Sequence, residues 1–312
     1  MTLKQTIEAF EALDSARASG RTVVDLLAPY PAASVSVEEV RGNKGKTDFV
    51  KIIVAGMQGR LCGGAARTLG IIGRLGGIGA RPGRIGLVSD GDGAVAAIAA
   101  ALKIAHMHAQ GDPLPGDVIV ATHICPDAPT RPHVPVEFMD SPVSVEEMNA
   151  REVAPEMDAV LAIDTTKGNR ILNHRGFAIS PTVKEGWILR VADDLVRIME
   201  TTTGRSAVTF PITMQDITPY GNGIHHLNSI LQPAVATDAP VVGVAISAQT
   251  VVAGSATGAS HEIDIAAAAK FAVEVAKEFG RGTAEFYNVE ELARLTALYG
   301  SMRHLQARAP AE

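Results

Sequence analysis

Three apolar runs in this sequence stop on an acidic residue: LVSD at Asp90, VIVATHICPD at Asp127 and AVLAID at Asp164. In α/β proteins ligands gather outside the carboxyl ends of strands, so a carboxylate delivered there is placed to meet a metal. The middle run also carries His123 and Cys125, which share one face with Asp127 if the chain stays extended through Pro126. Histidine, thiolate and carboxylate are all ligands of a borderline metal such as zinc. A fourth candidate is His261, which stands between a small-residue loop, AGSATGAS, and an expected helix. On residue type and position, Asp90, His123, Cys125, Asp127, Asp164 and His261 are all candidate ligands. Lys167, Asn169 and Arg170 follow Asp164 and suit an anionic substrate group, the arginine through a bidentate fork. His225 and His226 are adjacent and point to different faces, and His225 joins the substrate-binding candidates. Helix capping explains Asp92, and it offers the ordinary role for Glu262 and Asp264.

Two glycine-rich motifs carry no phosphate chemistry. RGNKGKT ends like a phosphate-binding loop, but Val40 stands where a glycine is needed, and the motif precedes a strand, so it reads as a turn. GMQGRLCGG lacks dinucleotide-binding spacing, and no acidic ribose partner follows it.

The elements that must hold these residues alternate along the chain. Strands are expected at Val50–Ala55, Arg84–Val88, Val118–Thr122, Ala159–Ile163 and Val241–Ile246. Helices are expected at Leu3–Ala18, Ala94–Ala109, Ser144–Arg151, Lys184–Thr202, Gly223–Leu231, Ile265–Phe279 and Val289–Ala297. Such alternation predicts a three-layer α/β/α sandwich around a mixed, mostly parallel sheet. Residues 1–312 read as a single α/β domain with a glycine-rich lobe or flap at about 59–86. The Pro-rich stretch Pro126–Pro142, with His133, reads as an ordered loop over the strand ends.

Composition narrows the functional classes. A net charge of -6 argues against a phosphate-backbone partner, so no nucleic acid is expected. The longest apolar run, from Gly93, meets Lys103 before it reaches membrane-spanning length, and the first helix lacks the marks of a signal peptide. Two cysteines cannot build a disulfide framework and suit a reducing compartment, so a cytoplasmic protein without a membrane partner is expected. Assembly as a homo-oligomer is compatible with the sequence.

Over nearly its whole length, through HICPDAPTRPH, IDTTKGNR, GFAISPTVKEG, QDITPYGNG and ATGASHE, the chain resembles a bacterial family described as a domain of unknown function. More distantly it resembles the zinc aminopeptidases of the tetrahedral and glutamyl aminopeptidase type. That resemblance implies a bridging metal ligand at Asp90, a second at Asp127, a third at Asp164 and a last at His261. Two departures bear on chemistry. Gly56 and Gln58, in KIIVAGMQG, replace a ligand and its supporting acid, and Pro126 replaces the catalytic glutamate. The resemblance then implies one metal ion, zinc for preference, over two.

These readings converge on a metal-dependent hydrolase of a small amide or peptide-like amino-acid derivative, with His123 or His133 as the replacement base. A different enzyme class, isomerisation or racemisation by two opposed thiols, would use Cys62 and Cys125. A third reading is a non-catalytic binding protein on the peptidase scaffold.

Overall fold

The structure, a computed structural model, describes residues 2–219, 222–224 and 229–306. The chain opens with helices α1 (Leu3–Leu13) and α2 (Gly20–Leu27), then a hairpin of β1 (Ala33–Gly42) and β2 (Gly45–Val54). Gly42 pairs with Gly45, so the lysine-glycine motif is indeed a turn between antiparallel strands. Next come β3 (Leu69–Gly73), α3 (Asp92–Ala109) and β4 (Val118–Ile124). A two-stranded hairpin, β5 (Thr130–Arg131) with β6 (Phe138–Met139), leads to α4 (Val145–Glu152) and β7 (Ala159–Thr166). Short strands β8 (Gly176–Ile179), β9 (Val183–Lys184) and β10 (Trp187–Ile188) precede α5 (Asp193–Thr203), β11 (Val241–Ser247), α6 (Glu262–Arg281) and α7 (Val289–Tyr299).

The main sheet runs β1-β2-β4-β3-β7-β11-β9-β10, with β8 also on β11. Its centre, β4-β3-β7-β11, is parallel, and the flanking pairs are antiparallel. Alternation along β7 shows why the sheet is buried on both sides. Ala159, Leu161 and Ile163 pack into a core shared with α1, α3 and α6, whereas Val160 and Ala162 face a second core with Ile230, Leu231 and Ala234. Helix α3 is apolar nearly all round because it lies inside the first core.

Two expectations need correction. No strand forms at 84–88; Val88 makes only an isolated bridge to Thr257. The missing strand is β3, which lies in the glycine-rich stretch expected as a flap and stands between β4 and β7. Its glycines are there for contact. A Cβ on Gly73 would stand 2.7 Å from the Gly93 carbonyl oxygen at the start of α3, and one on Gly70 would stand 2.4 Å from the Met157 sulfur. Helix and strand can approach this closely only without those side chains. The stretch expected as one helix over 184–202 is split: Glu185 and Gly186, both at positive φ, close the β9–β10 hairpin, and helix begins at Asp193.

Candidate functional site

From β3 the chain crosses one face of the sheet through α3 to reach β4, and from β4 it returns across the other face through α4 to β7. Connections that leave for opposite faces open a crevice at the carboxyl ends of the strands between them. A cavity of about 500 Å³ lies there, lined by Arg74, Asp90, His123, Asp164, Lys167 and Asn169, with Arg131, Phe138, Met139 and Asp140 from the β5–β6 hairpin. Period-two alternation explains part of this gathering. Continued from Ile72, Ile119 and Ala162, it sends Arg74, His123 and Asp164 toward the same face, the one covered by α4 and residues 229–235.

Asp90 reaches the cavity from the short turn Ser89–Gly91 that opens α3. The turn is fixed on two sides. Asp90 N donates to Gly254 O at 2.9 Å, and Thr165 Oγ1 donates to Ser89 O at 2.8 Å. Gly254 is required by this fit, since a Cβ there would meet Asp90 Oδ1 at 2.7 Å. Burial, then the neighbouring carboxylates of Asp164 and Asp92, push the Asp90 carboxyl well above the ordinary carboxylate range. Asp164, at the end of β7, accepts a hydrogen bond from Thr165 N at 2.7 Å. Two cations of the cavity lining pair with other acids. Lys167 Nζ lies 2.7 Å from Asp92 Oδ2, with both side chains buried, and Arg74 Nη1 lies 2.7 Å from Glu152 Oε2.

His123 is buried with its ring stacked on Phe49 at 5.3 Å between centroids. When Thr47 Oγ1 donates to Ile124 O at 3.1 Å, the Thr47 hydroxyl oxygen accepts from His123 Nδ1–H at 3.2 Å. In the tautomer with the proton on Nδ1, Nε2 has no partner among the described residues and is a bare acceptor. Burial, and then the Arg74 charge, lower the imidazole pKa to about 3. At neutral pH His123 is an uncharged hydrogen-bond acceptor and a weak base.

The structure brings together Asp90, Asp164, His123, Lys167 and Asn169, and it leaves the other candidates elsewhere. Asp127 is exposed, in an isolated bridge with Ala80, off the cavity wall. His261 is the N-cap position of α6 and lies near Asp92, whose carboxyl burial holds above the ordinary range. Arg170 is exposed and outside the cavity lining. Asn169 Oδ1 accepts from Ile171 N and Leu172 N, so its side chain shapes the turn after β7. His133 sits on the exposed hairpin with Nδ1 3.1 Å from Val136 O. His225 lies outside the described residues.

Cys125 is buried, its Sγ donates to Lys46 O at 3.4 Å, and burial pushes the thiol up to about 12. A two-thiol site is incompatible with this arrangement. Cys62 follows Leu61, whose N–H donates to Asp117 before the amino end of β4, whereas Cys125 follows its carboxyl end. The extended chain between Asp117 and Cys125 spans about 26 Å.

Among the described residues no three His, Cys, Asp or Glu side chains gather as metal ligands. The set Asp90, Asp127, Asp164 and His261 is thus not brought together among the described residues. Two adjacent carboxylates remain. They fit a hard cation that binds oxygen and keeps part of its water shell.

The absent ligand pair at Gly56 and Gln58 has a topological reason. β2 runs antiparallel to β4, so the end of KIIVAGMQG faces the amino edge of the sheet: Val54 pairs with Val118, and Gln58 N donates to Pro115 O. The strand whose carboxyl end enters the cavity is β3, and the residue there is Arg74. Sequence reasoning missed Arg74, although IIGRLGG carries the same signal as AVLAID, an apolar run stopping on a charge. A larger groove of about 1270 Å³ opens at the other edge, where Asp158 and Pro240 precede β7 and β11. Its cations Arg67 and Lys184 are paired to Glu285 and Glu185.

Residues 38–309 match the family model described as "Protein of unknown function (DUF1177)". No curated protein matches the sequence. Among solved structures the chain is similar to the bottromycin maturation enzyme BotP in complex with Mn, with TM-score 0.52, 14% identity, and 87% of this chain and 71% of that chain covered. It is similar to a variant of tomato leucine aminopeptidase, with TM-score 0.53, 11% identity, and coverage of 87% and 61%. A glutaminyl cyclase from an Acidobacteriales bacterium gives TM-score 0.52, 12% identity, and coverage of 90% and 94%. At these identities the likeness is one of fold, and the fold is aminopeptidase-like.

Proposed function

The chain belongs to the DUF1177 family, and from its cavity we propose that it is a metal-dependent hydrolase of small amide or peptide-like amino-acid derivatives. The observation that carries this reading is the Asp90–Asp164 pair: two neighbouring carboxylates, one of them raised well above its ordinary range, at the carboxyl ends of parallel strands. Bringing such acids close together in the interior raises their mutual repulsion, and functional sites are where perturbed carboxyls gather. Support also comes from the fold shared with BotP, which was solved with Mn, and with a leucine aminopeptidase.

Asp90 and Asp164 would hold one divalent ion of the Mn²⁺ or Mg²⁺ kind. Such an ion supplies polarisation of the scissile carbonyl and a more acidic water. The remaining chemistry belongs to the chain. The Asp92–Lys167 ion pair, tied to Ser260, anchors the start of α3 and with it the Asp90 turn. Phe138 and Met139 on the hairpin line the cavity, and that hairpin is braced by Arg131 and Lys44 on Asp140. His123 offers Nε2 as a fixed, uncharged acceptor for an N–H.

The test is a screen of dipeptides, N-acyl amino acids and their amides with Mn²⁺ or Mg²⁺, run beside Asp90→Asn and Asp164→Asn. Hydrolysis that needs the ion and both carboxylates is the expected result. Turnover that persists in both variants, or the absence of turnover throughout the panel with either ion, overturns the reading.

A further inference from the structure

Arg74 and Glu152 are fully buried, and their charges are matched through a single edge of the guanidinium. Arg74 Nη1 donates to Glu152 Oε2 at 2.7 Å and to Asn149 Oδ1 at 3.1 Å, and Asn149 Nδ2 in turn donates to Gln232 O at 3.1 Å. All these partners lie on α4 and residues 229–235, on one side of the arginine. Among the described residues Nε and Nη2 have no hydrogen-bond partner. These atoms form the other edge of the guanidinium, the planar fork that matches a carboxylate with two parallel N–H bonds. Buried donors left without partners cost about 1–3 kcal/mol each, so an empty fork on a cavity wall marks a place that a ligand completes. His123 lines the same cavity, close enough for the Arg74 charge to act on its ring, and its Nε2 is likewise bare.

We propose that Arg74 and His123 form a carboxylate-and-amide subsite, so that the cavity takes small molecules with a free carboxylate next to an amide N–H, as in an N-acyl amino acid. The carboxylate lies on the Nε/Nη2 fork, and the neighbouring N–H donates to His123 Nε2. Leu75, Met148, Ile230 and Val252 supply an apolar wall for the amino-acid side chain. This subsite rests on the reading of the cavity as the substrate site, but it is a statement about binding and does not depend on turnover.

The experiment is calorimetric binding to the full chain of three probes: N-acetylglycine, its uncharged amide N-acetylglycinamide, and N-acetylsarcosine, which keeps the carboxylate and lacks the N–H. N-acetylglycine should bind about 10- to 100-fold tighter than the amide, the range of a hydrogen bond to a charged group. It should bind several-fold tighter than N-acetylsarcosine. The variant Arg74→Gln/Glu152→Gln removes both buried charges together, leaves neither uncompensated, and should abolish the acid preference. Arg74→Lys keeps the charge without the fork and should reduce that preference even if the double variant does not fold. Equal affinity for acid and amide, absence of binding by all three probes at millimolar concentration, or a preference undiminished in Arg74→Lys overturns the proposal. Acid preference without hydrolysis sinks the hydrolase reading alone, and hydrolysis of amides without acid preference sinks the subsite alone.

Discussion

Glu152→Gln is the sharpest perturbation of the cavity wall. In the folded protein the Arg74 and Glu152 side chains are 0% exposed, and their charged atoms are 2.7 Å apart. Replacing the carboxylate with an amide keeps the volume and leaves a guanidinium charge with no counterion in the interior. Breaking a buried pair in this way costs about 3–5 kcal/mol, because the remaining ion keeps its desolvation penalty. At about 2–4 °C per kcal/mol for large domains, the melting temperature should fall by about 6–20 °C. Removing both charges in Arg74→Gln/Glu152→Gln removes the penalty together with the attraction, so the double variant should recover to within about 1–2 kcal/mol of the parent. Urea unfolding followed by circular dichroism at neutral pH gives all three free energies. A loss below about 1 kcal/mol in Glu152→Gln, or a double variant no more stable than the single one, would refute the reasoning that a buried charge is matched by this carboxylate alone.

Three further outcomes follow from the same structure. Alkylation at neutral pH should modify Cys62 alone in the native chain, because Cys125 is buried with its thiol near 12, and both thiols should react in denaturant; modification of native Cys125 would contradict its placement. The His123 ring signal should stay constant between about pH 5 and 8 in nuclear magnetic resonance, since its pKa of about 3 lies below that window. Its folded value is depressed below the unfolded one, so the unfolded chain binds more protons between them. Stability from this group is then complete above about pH 6.5 and is lost as pH falls toward 3; a His123→Gln variant that keeps the full acid sensitivity of the parent would count against it. Arg170→Ala should leave carboxylate binding within about twofold of the parent, because the residue is exposed and off the cavity wall; a tenfold loss would reopen its role.

The layers of the fold were legible because hydrophobic periodicity follows burial. Val118–Thr122, Ala159–Ile163 and Val241–Ile246 all fall inside observed strands, and Ala94–Ala109 falls inside α3. β3 was not legible. Its glycines are selected by the helix and side chains pressed against it, a tertiary demand that local composition reads as loop. The site followed the same division. Asp90 and Asp164 were found because a charge at the end of an apolar run is visible in one dimension. Asp127 and His261 share that local pattern, but the turn after Pro126 carries one to the surface, and the other sits beside Asp92 at a helix start. Strand direction also escaped the sequence. Without knowing that β2 runs antiparallel, the end of KIIVAGMQG could not be placed at the edge opposite the cavity, nor Arg74 in its stead.

The central claim is that Asp90 and Asp164 together form the functional centre of this chain. Electron paramagnetic resonance of Mn²⁺ titrated into the full-length protein tests it most directly. One bound ion is predicted, lost in Asp90→Asn and in Asp164→Asn, and retained in Asp127→Asn and His261→Gln. An ion that stays bound without Asp90 and Asp164, or that leaves with Asp127 or His261, would contradict the account.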